Sequence, residues 1–326
     1  MSVGDPQAAP TAAPQLRRLY FYGSGGTLFG IHIVNILLTL VTLGIYYFWA
    51  KVRVRAYLLS QTELLGDRFA FHGAGKELLI GWLRAALVFG LPALALAVGP
   101  DLIGAGGGVQ MIARTLLTIL TVVFIPVATV GARRYRLSRT SWREIRFSFR
   151  GRALDFVKLF VTGSLLTAIT LGLYYPVFEV RRYAFMASHA YFGNRRFAFD
   201  GRGRDLFTVY CLALLLWIPT LGLSWFWYLA RRQRYLWEHT AFETARFHST
   251  VTGWRLFLLK LGNLLLLVLT LGLAWPWVTA RNARFAVRYL TLDGPLDLER
   301  IQQEAQVATA TGEGLAGFLD VGFDLG

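Results

Sequence analysis

Six stretches of the chain are apolar almost without interruption, at about 28–50, 78–98, 111–131, 156–178, 206–230 and 256–280. Each runs to roughly 20 residues, enough at ~1.5 Å per residue to cross a ~30 Å hydrocarbon core. A hydrocarbon core offers no water to backbone amides, so such segments must satisfy their hydrogen bonds internally, as helices. Buried helices of a large soluble protein are the competing explanation, and the near absence of charge inside six runs argues against it. Trp49, Trp225, Trp227, Trp275 and Trp277 stand where the apolar runs meet Arg and Lys, the position of aromatics at a membrane interface. The pattern predicts a multi-pass membrane protein.

A second pattern is repetition. Thr42-Leu43-Gly44-Ile45-Tyr46-Tyr47 recurs as Thr170 to Tyr175, and again in the copies that begin at Thr220 and Thr270, the last three 50 residues apart. An arginine follows each copy in register (Arg53, Arg181, Arg231 and Arg281), and four residues later an aromatic (Tyr57, Phe185, Tyr235 and Phe285). A degraded copy runs from Thr121 to Tyr135. Ahead of the helices, Arg68-Phe69-Ala70-Phe71-His72-Gly73 matches the segments 146–151 and 196–201, with related copies at 18–23 and 246–249. Alternating aromatics ended by glycine read as a short strand. One unit is therefore a strand, a glycine turn, a membrane helix containing T-L-G and a basic-aromatic helix at the surface. The second unit holds 28 extra residues, which are expected to supply the additional helix at 78–98.

Composition agrees with a bilayer. Of the 326 residues 55% are hydrophobic, 15% aromatic and only 16% charged, and mean hydropathy is +0.46. The formal charge is +15, and a chain both this basic and this apolar suits lipid better than nucleic acid. Residues 1–17 are Pro/Ala-rich, lack the basic start and continuous apolar run of a cleavable signal, and are expected to be a disordered tail. Residues 18–294 form the repeat-built membrane domain. Residues 295–326, with six carboxylates against Arg300 alone, are expected to be a flexible acidic tail.

Sidedness meets a conflict. The segment 99–110 carries no Lys or Arg and belongs outside, whereas residues 51–76 and the eight arginines of 132–156 belong inside. Single spans from there on would put 179–205, with six arginines, outside. Either these helices span in alternating orientation and override the charge rule, or each unit bends at T-L-G and returns. Full spans are the expectation, because a mid-helix glycine costs only ~1 kcal/mol and does not force a bend.

Enzymatic chemistry finds little support. The five histidines show no H-x-x-x-H spacing and no adjoining carboxylates, and Cys211 is the sole cysteine, which excludes thiolate metal sites and C-x-x-C redox pairs. No cofactor is expected. His72-Gly73-Ala74-Gly75-Lys76-Glu77 misses the Walker spacing and reads as a strand-to-helix turn. The repeated Arg-x-x-x-aromatic pairs remain. Spacing of i to i+4 places the guanidinium and the ring on one helical face, where they can stack. Such helices are attracted to anionic headgroups, or converge their arginines on one anionic solute or headgroup. Asn35 and Asn263, each seven residues before the T-L-G threonine, are the polar groups within the spans; each can bond a neighbouring helix or contact a solute.

Phe21-Tyr22-Gly23-Ser24-Gly25-Gly26-Thr27-Leu28-Phe29-Gly30, Asn35 to Thr39, Thr42 to Arg53 and Gly66-Asp67-Arg68-Phe69 together resemble the YjgN family of bacterial multi-pass inner-membrane proteins, over about residues 18–294. The resemblance implies an inner-membrane location and carries no activity and no catalytic residues. The expectation is thus an all-α membrane bundle of about six helices with short surface strands. The candidate lipid or solute contacts are Arg53, Tyr57, Arg181, Phe185, Arg231, Tyr235, Arg281, Phe285, Asn35 and Asn263. The role expected is non-enzymatic, structural or anionic-lipid-interacting, with a small-solute transporter or channel as the alternative. Expected partners are membrane lipids, through their anionic headgroups, and a second copy of the chain, with no nucleic acid.

Overall fold

In a computed structural model, which describes residues 17–295 and residue 301, the strands are the organising element. β1 (Arg17–Phe21), β2 (Thr62–Leu64), β3 (Asp67–Phe71), β4 (Thr140–Trp142), β5 (Ile145–Phe149), β6 (Ala190–Phe192), β7 (Arg195–Phe199), β8 (Thr240–Phe242), β9 (Ala245–Ser249) and β10 (Leu290–Asp293) pair side by side. They close into one antiparallel barrel, in which β1 meets both β2 and β10. The all-α, six-span expectation is therefore overturned. The alternating aromatics do not decorate a surface. Phe69 lies opposite Trp142, Phe147 opposite Phe192 and Phe197 opposite Phe242, and these rings pack into one cluster with Leu64, Phe247 and Ile301. Cross-strand pairs of large rings are the unit of sheet stabilisation, and closure leaves no strand edge unpaired. The arginines that alternate with them (Arg18, Arg68, Arg146, Arg196 and Arg246) are exposed, one on each longer strand.

Between successive strand pairs the chain runs out and back as helices. These are α1 (Gly25–Val41) and α2 (Tyr47–Ser60), α3 (Gly75–Ala85) continuing through a π turn into α4 (Leu91–Leu102) with α5 (Gly107–Ser138), and α6 (Ala153–Ile169) with α7 (Tyr175–Ser188). A 3-10 turn at Gly203–Leu206 leads into α8 (Phe207–Leu215), which returns as α9 (Leu223–Glu238); α10 (Gly253–Leu269) and α11 (Trp275–Arg288) complete the set. The return is compulsory. Phe21 is paired with Thr62, Phe71 with Thr140, Phe149 with Ala190, Phe199 with Thr240 and Ser249 with Leu290, so each helical excursion begins and ends on adjacent strands. Full spans in alternating orientation are incompatible with those pairings, and the expected single spans become hairpins. The tips of all but the α3–α4/α5 hairpin are the T-L-G segments. Thr42 Oγ1 donates to the Leu38 carbonyl at 2.7 Å and accepts the Tyr46 N–H at 2.9 Å, closing one helix and starting the next. Leu43 and Gly44 take φ of 50° and 93° between them. Leu171, Leu221 and Leu271 repeat the left-handed conformation, each at φ 49°.

Among the described residues, only Gly75–Leu102 and Gly107–Ser138 are long and apolar enough to cross a membrane by length and composition. The extra residues of the second unit therefore lengthen both arms of one hairpin instead of adding a separate helix. Four of the five hairpins dock on a neighbour through a glycine at the root of the outgoing helix, at Gly25, Gly75, Gly203 and Gly253. A Cβ on Gly203 would lie 2.5 Å from the Val177 Cα, and one on Gly25 would meet the Trp277 ring at 2.3 Å. The second contact seats the last hairpin on the first and closes the helical ring above the barrel.

Candidate anion-binding surface

The predicted Arg-aromatic pairs are divided by the fold. Arg53, Arg181, Arg231 and Arg281 are all exposed, while their aromatic partners are built into the roots of the hairpins. The Tyr57 hydroxyl accepts the Ser24 N–H at 2.9 Å. Phe185 packs on Phe149 and Phe156, and Phe285 on Tyr289. Stacking at i+4 gives way to a different pairing: Arg53 lies over Tyr46 and Arg181 over Tyr174, each ring seven residues earlier on the tip side. The arginines thus mark one level on the hairpins, ten residues beyond the tip leucine in each case.

Asn35 and Asn263 are both 5% exposed and sit between the arms of their own hairpins. Asn35 Nδ2 donates to the Ala50 carbonyl at 3.4 Å and Asn263 Nδ2 to Asn282 Oδ1 at 2.8 Å. The corresponding positions in the third and fourth hairpins are Gly163, on which a Cβ would meet the Phe178 ring at 2.1 Å, and the buried Ala213. This position sets how closely the two arms approach.

One open groove lies at the arginine level. It has a volume of about 510 Å3 and is lined by Val177, Val180, Arg181 and Ala184 of α7 and by the turn Gly201–Asp205. The turn is held by Tyr235. The Tyr235 hydroxyl accepts the Arg202 N–H at 2.6 Å and donates toward Asp205 Oδ2 at 2.5 Å. Burial and the Asp205 hydrogen bond push the Tyr235 phenol up to about 12, because both disfavour the phenolate. Arg202 and Arg204 are exposed, and among the described residues neither forms an ion pair. With Arg181 they set three guanidinium groups against one carboxylate already engaged by a hydroxyl. Guanidinium forks match phosphate and carboxylate oxygens in bidentate geometry.

Arg202 and Arg204 escaped the sequence reading because they lie in the glycine turn, outside the basic-aromatic helix; a count of arginines beside each strand-ending glycine would have found them. Glu179 escaped it too. Its side chain is 15% exposed and takes Arg232 Nη1 at 2.6 Å, with the Tyr175 and Tyr228 hydroxyls at 3.4 Å, so α7 and α9 are joined at the arginine level. His72–Glu77 is the expected strand-to-helix turn. There Glu77 takes Arg139 at 2.6 and 3.1 Å and the Tyr135 hydroxyl at 3.2 Å, tying together the roots of the long hairpin.

An apolar helical crown above a basic barrel defines a membrane-associated protein. The chain belongs to the family described as "Bacterial protein of unknown function (DUF898)", which matches residues 17–225 and 213–318. It is similar to inner membrane protein YjgN of Escherichia coli K12, with 32% identity over 155 residues, 48% of this chain and 36% of that protein. Inner membrane protein YjgN of Salmonella typhimurium LT2 is 32% identical over 132 residues, 40% of this chain and 31% of that protein. The chain therefore spans about a third of the length of these relatives, and its place is the bacterial inner membrane. No solved structure matches it.

Proposed function

We propose that the protein is a non-enzymatic, multi-pass membrane protein, built by tandem repetition of one strand–hairpin–strand unit, that holds anionic lipid headgroups at the roots of its apolar hairpins. The observation that carries this reading is the groove of Arg181, Arg202 and Arg204, open at the level where apolar helix gives way to basic surface. A phosphodiester seated there exchanges hydration for charge-assisted hydrogen bonds, and Val177, Val180 and Ala184 offer an apolar wall to the glycerol end of the lipid. The test is lipid retention. Protein purified in mild detergent from vesicles of mixed phosphatidylglycerol and phosphatidylcholine is expected to keep phosphatidylglycerol, and the triple variant Arg181→Gln, Arg202→Gln, Arg204→Gln to lose it. Equal retention of both lipids by the unaltered chain would overturn the reading.

Passage of a small solute is the second reading. It is favoured by the buried Oδ1 atoms of Asn35 and Asn263, neither of which has a hydrogen-bond donor among the described residues. Solute uptake into proteoliposomes that disappears on Asn35→Leu or Asn263→Leu would establish it in place of the first.

A further inference from the structure

We infer that the protein enters the bilayer from one side only, with the α3–α4/α5 hairpin crossing it and the other four hairpins ending near the bilayer midplane. The partner of their apolar surface is the acyl-chain layer of a single leaflet. Strand pairing puts both ends of every hairpin at the barrel, so only depth is left to decide, and the charges decide it. In the four shorter hairpins the charge-free stretches are 19–50, 159–178, 206–230 and 261–280, each folded in two at its T-L-G turn. From each tip leucine the returning arm runs ten residues to its arginine, a rise of ~15 Å, half of a ~30 Å hydrocarbon core. With the tips at the midplane, Arg53, Arg181, Arg231 and Arg281 fall at the headgroups. With the tips on the far side, all four exposed arginines would sit in hydrocarbon, where charged side chains are strongly disfavoured.

The long hairpin has the other proportions. Its charge-free stretches are 85–100 and 115–132, which at ~1.5 Å per residue give ~24–27 Å in a single pass. Arg114 then reaches the far headgroups while Arg133 stays at the near ones. Its tip is polar, with Gln110 Nε2 donating to Asp101 Oδ1 at 3.2 Å, as suits a turn that emerges into water.

The tip residues of the short hairpins supply a separate observation. Leu43, Leu171, Leu221 and Leu271 are 93–94% exposed and hold a left-handed backbone that disfavours any residue with a Cβ. No packing among the described residues compensates them for this, and acyl chains would. The barrel face, with five exposed strand arginines, is the cytoplasmic one by the positive-inside rule.

Cysteine accessibility in oriented inner-membrane vesicles tests this, in a Cys211→Ser background with a membrane-impermeant sulfonated maleimide. Ala105→Cys is expected to label only from the periplasmic face, and Ala198→Cys, on the barrel, only from the cytoplasmic face. Leu43→Cys, Leu171→Cys, Leu221→Cys and Leu271→Cys are expected to resist the impermeant reagent from both faces and to label fully with N-ethylmaleimide after detergent solubilisation. Periplasmic labelling of any of the four tips, or cytoplasmic labelling of Ala105→Cys, would overturn the inference. Should a cysteine variant fail to accumulate, a spin label on the neighbouring tip residue Gly44→Cys or Gly172→Cys reads the same depth by oxygen and nickel-chelate relaxation. The mapping is independent of lipid preference: loss of phosphatidylglycerol retention in the arginine variants leaves the labelling pattern unchanged.

Discussion

Phe192→Ala tests whether the strands enclose a packed interior. The Phe192 side chain is 3% exposed, with ring centroids 4.7 Å from Phe147, 5.7 Å from Trp142 and 6.0 Å from Phe242. A buried aromatic covers ~150–250 Å2, and at ~25 cal/mol per Å2 the low end of that range, apt for a Phe truncated to its Cβ, costs about 4 kcal/mol before any collapse of the cavity. That lies within the ~3–5 kcal/mol expected for truncating a core phenylalanine. At ~2.1 cal/mol/K of unfolding entropy per residue, a chain of 326 residues loses ~1.5 °C of melting midpoint per kcal/mol, so a fall on the order of 6 °C is expected. The assay is thermal denaturation in detergent at one fixed scan rate, since unfolding of such a protein is governed by rate as much as by equilibrium. Tyr20→Ala is the control, because Tyr20 is 52% exposed on the outer face of β1, and a shift within ~0.5 kcal/mol is expected there. Phe192→Leu, which keeps most of the volume, is expected to cost less than ~1.5 kcal/mol and serves if the alanine variant does not accumulate. Equal midpoints for Phe192→Ala and Tyr20→Ala would refute a filled barrel.

Gly203→Ala places a methyl 2.5 Å from the Val177 backbone, so α7 must retreat; a loss of ~1–3 kcal/mol and weaker phosphatidylglycerol retention are expected with every arginine intact, measured by melting and lipid extraction. Tyr235 is protonated more firmly in the fold than in the free chain, whose phenol titrates near 10.0. Its stabilising contribution is complete below pH 10 and disappears as the pH rises through 10 toward 12. The unaltered chain should therefore lose melting temperature across that window faster than Tyr235→Phe, with phenolate absorbance reporting the late titration. Glu77→Gln loosens the bidentate contact with Arg139, and because both side chains are partly exposed a loss of about 1 kcal/mol is expected in chemical denaturation.

The sequence carried its periodicity openly but hid its closure. The R-F-x-F strands, their glycine turns and the T-L-G bends are each written in about six consecutive residues, and the structure places an element at each. The partner strands are only three residues long, such as Thr62–Leu64 and Ala190–Phe192, too short for alternation to register, and their pairing joins residues far apart in the chain. Hydropathy misled for a related reason. The run 28–50 is as long as a span because it adds the end of α1, the turn and the start of α2, and a sliding average cannot see a reversal of direction. The arginine register was legible because it repeats. The groove was not, since Arg181 meets Arg202 and Arg204 only where α7 docks on the following hairpin.

Closure of the barrel also dictates an order of assembly. β1 leaves the ribosome ahead of β10, whose Leu292 and Thr291 pair with Arg17 and Arg18, by some 270 residues. At ~5–20 residues per second of synthesis, the first strand spends roughly 15–55 s with that side unsatisfied. On the one-sided insertion inferred above, the hairpins made in the interval enter lipid before the ring that gathers them exists. Biogenesis of this chain is therefore vulnerable to mispairing between nascent neighbours on one polysome, and the arrival of β10 is what ends the exposure.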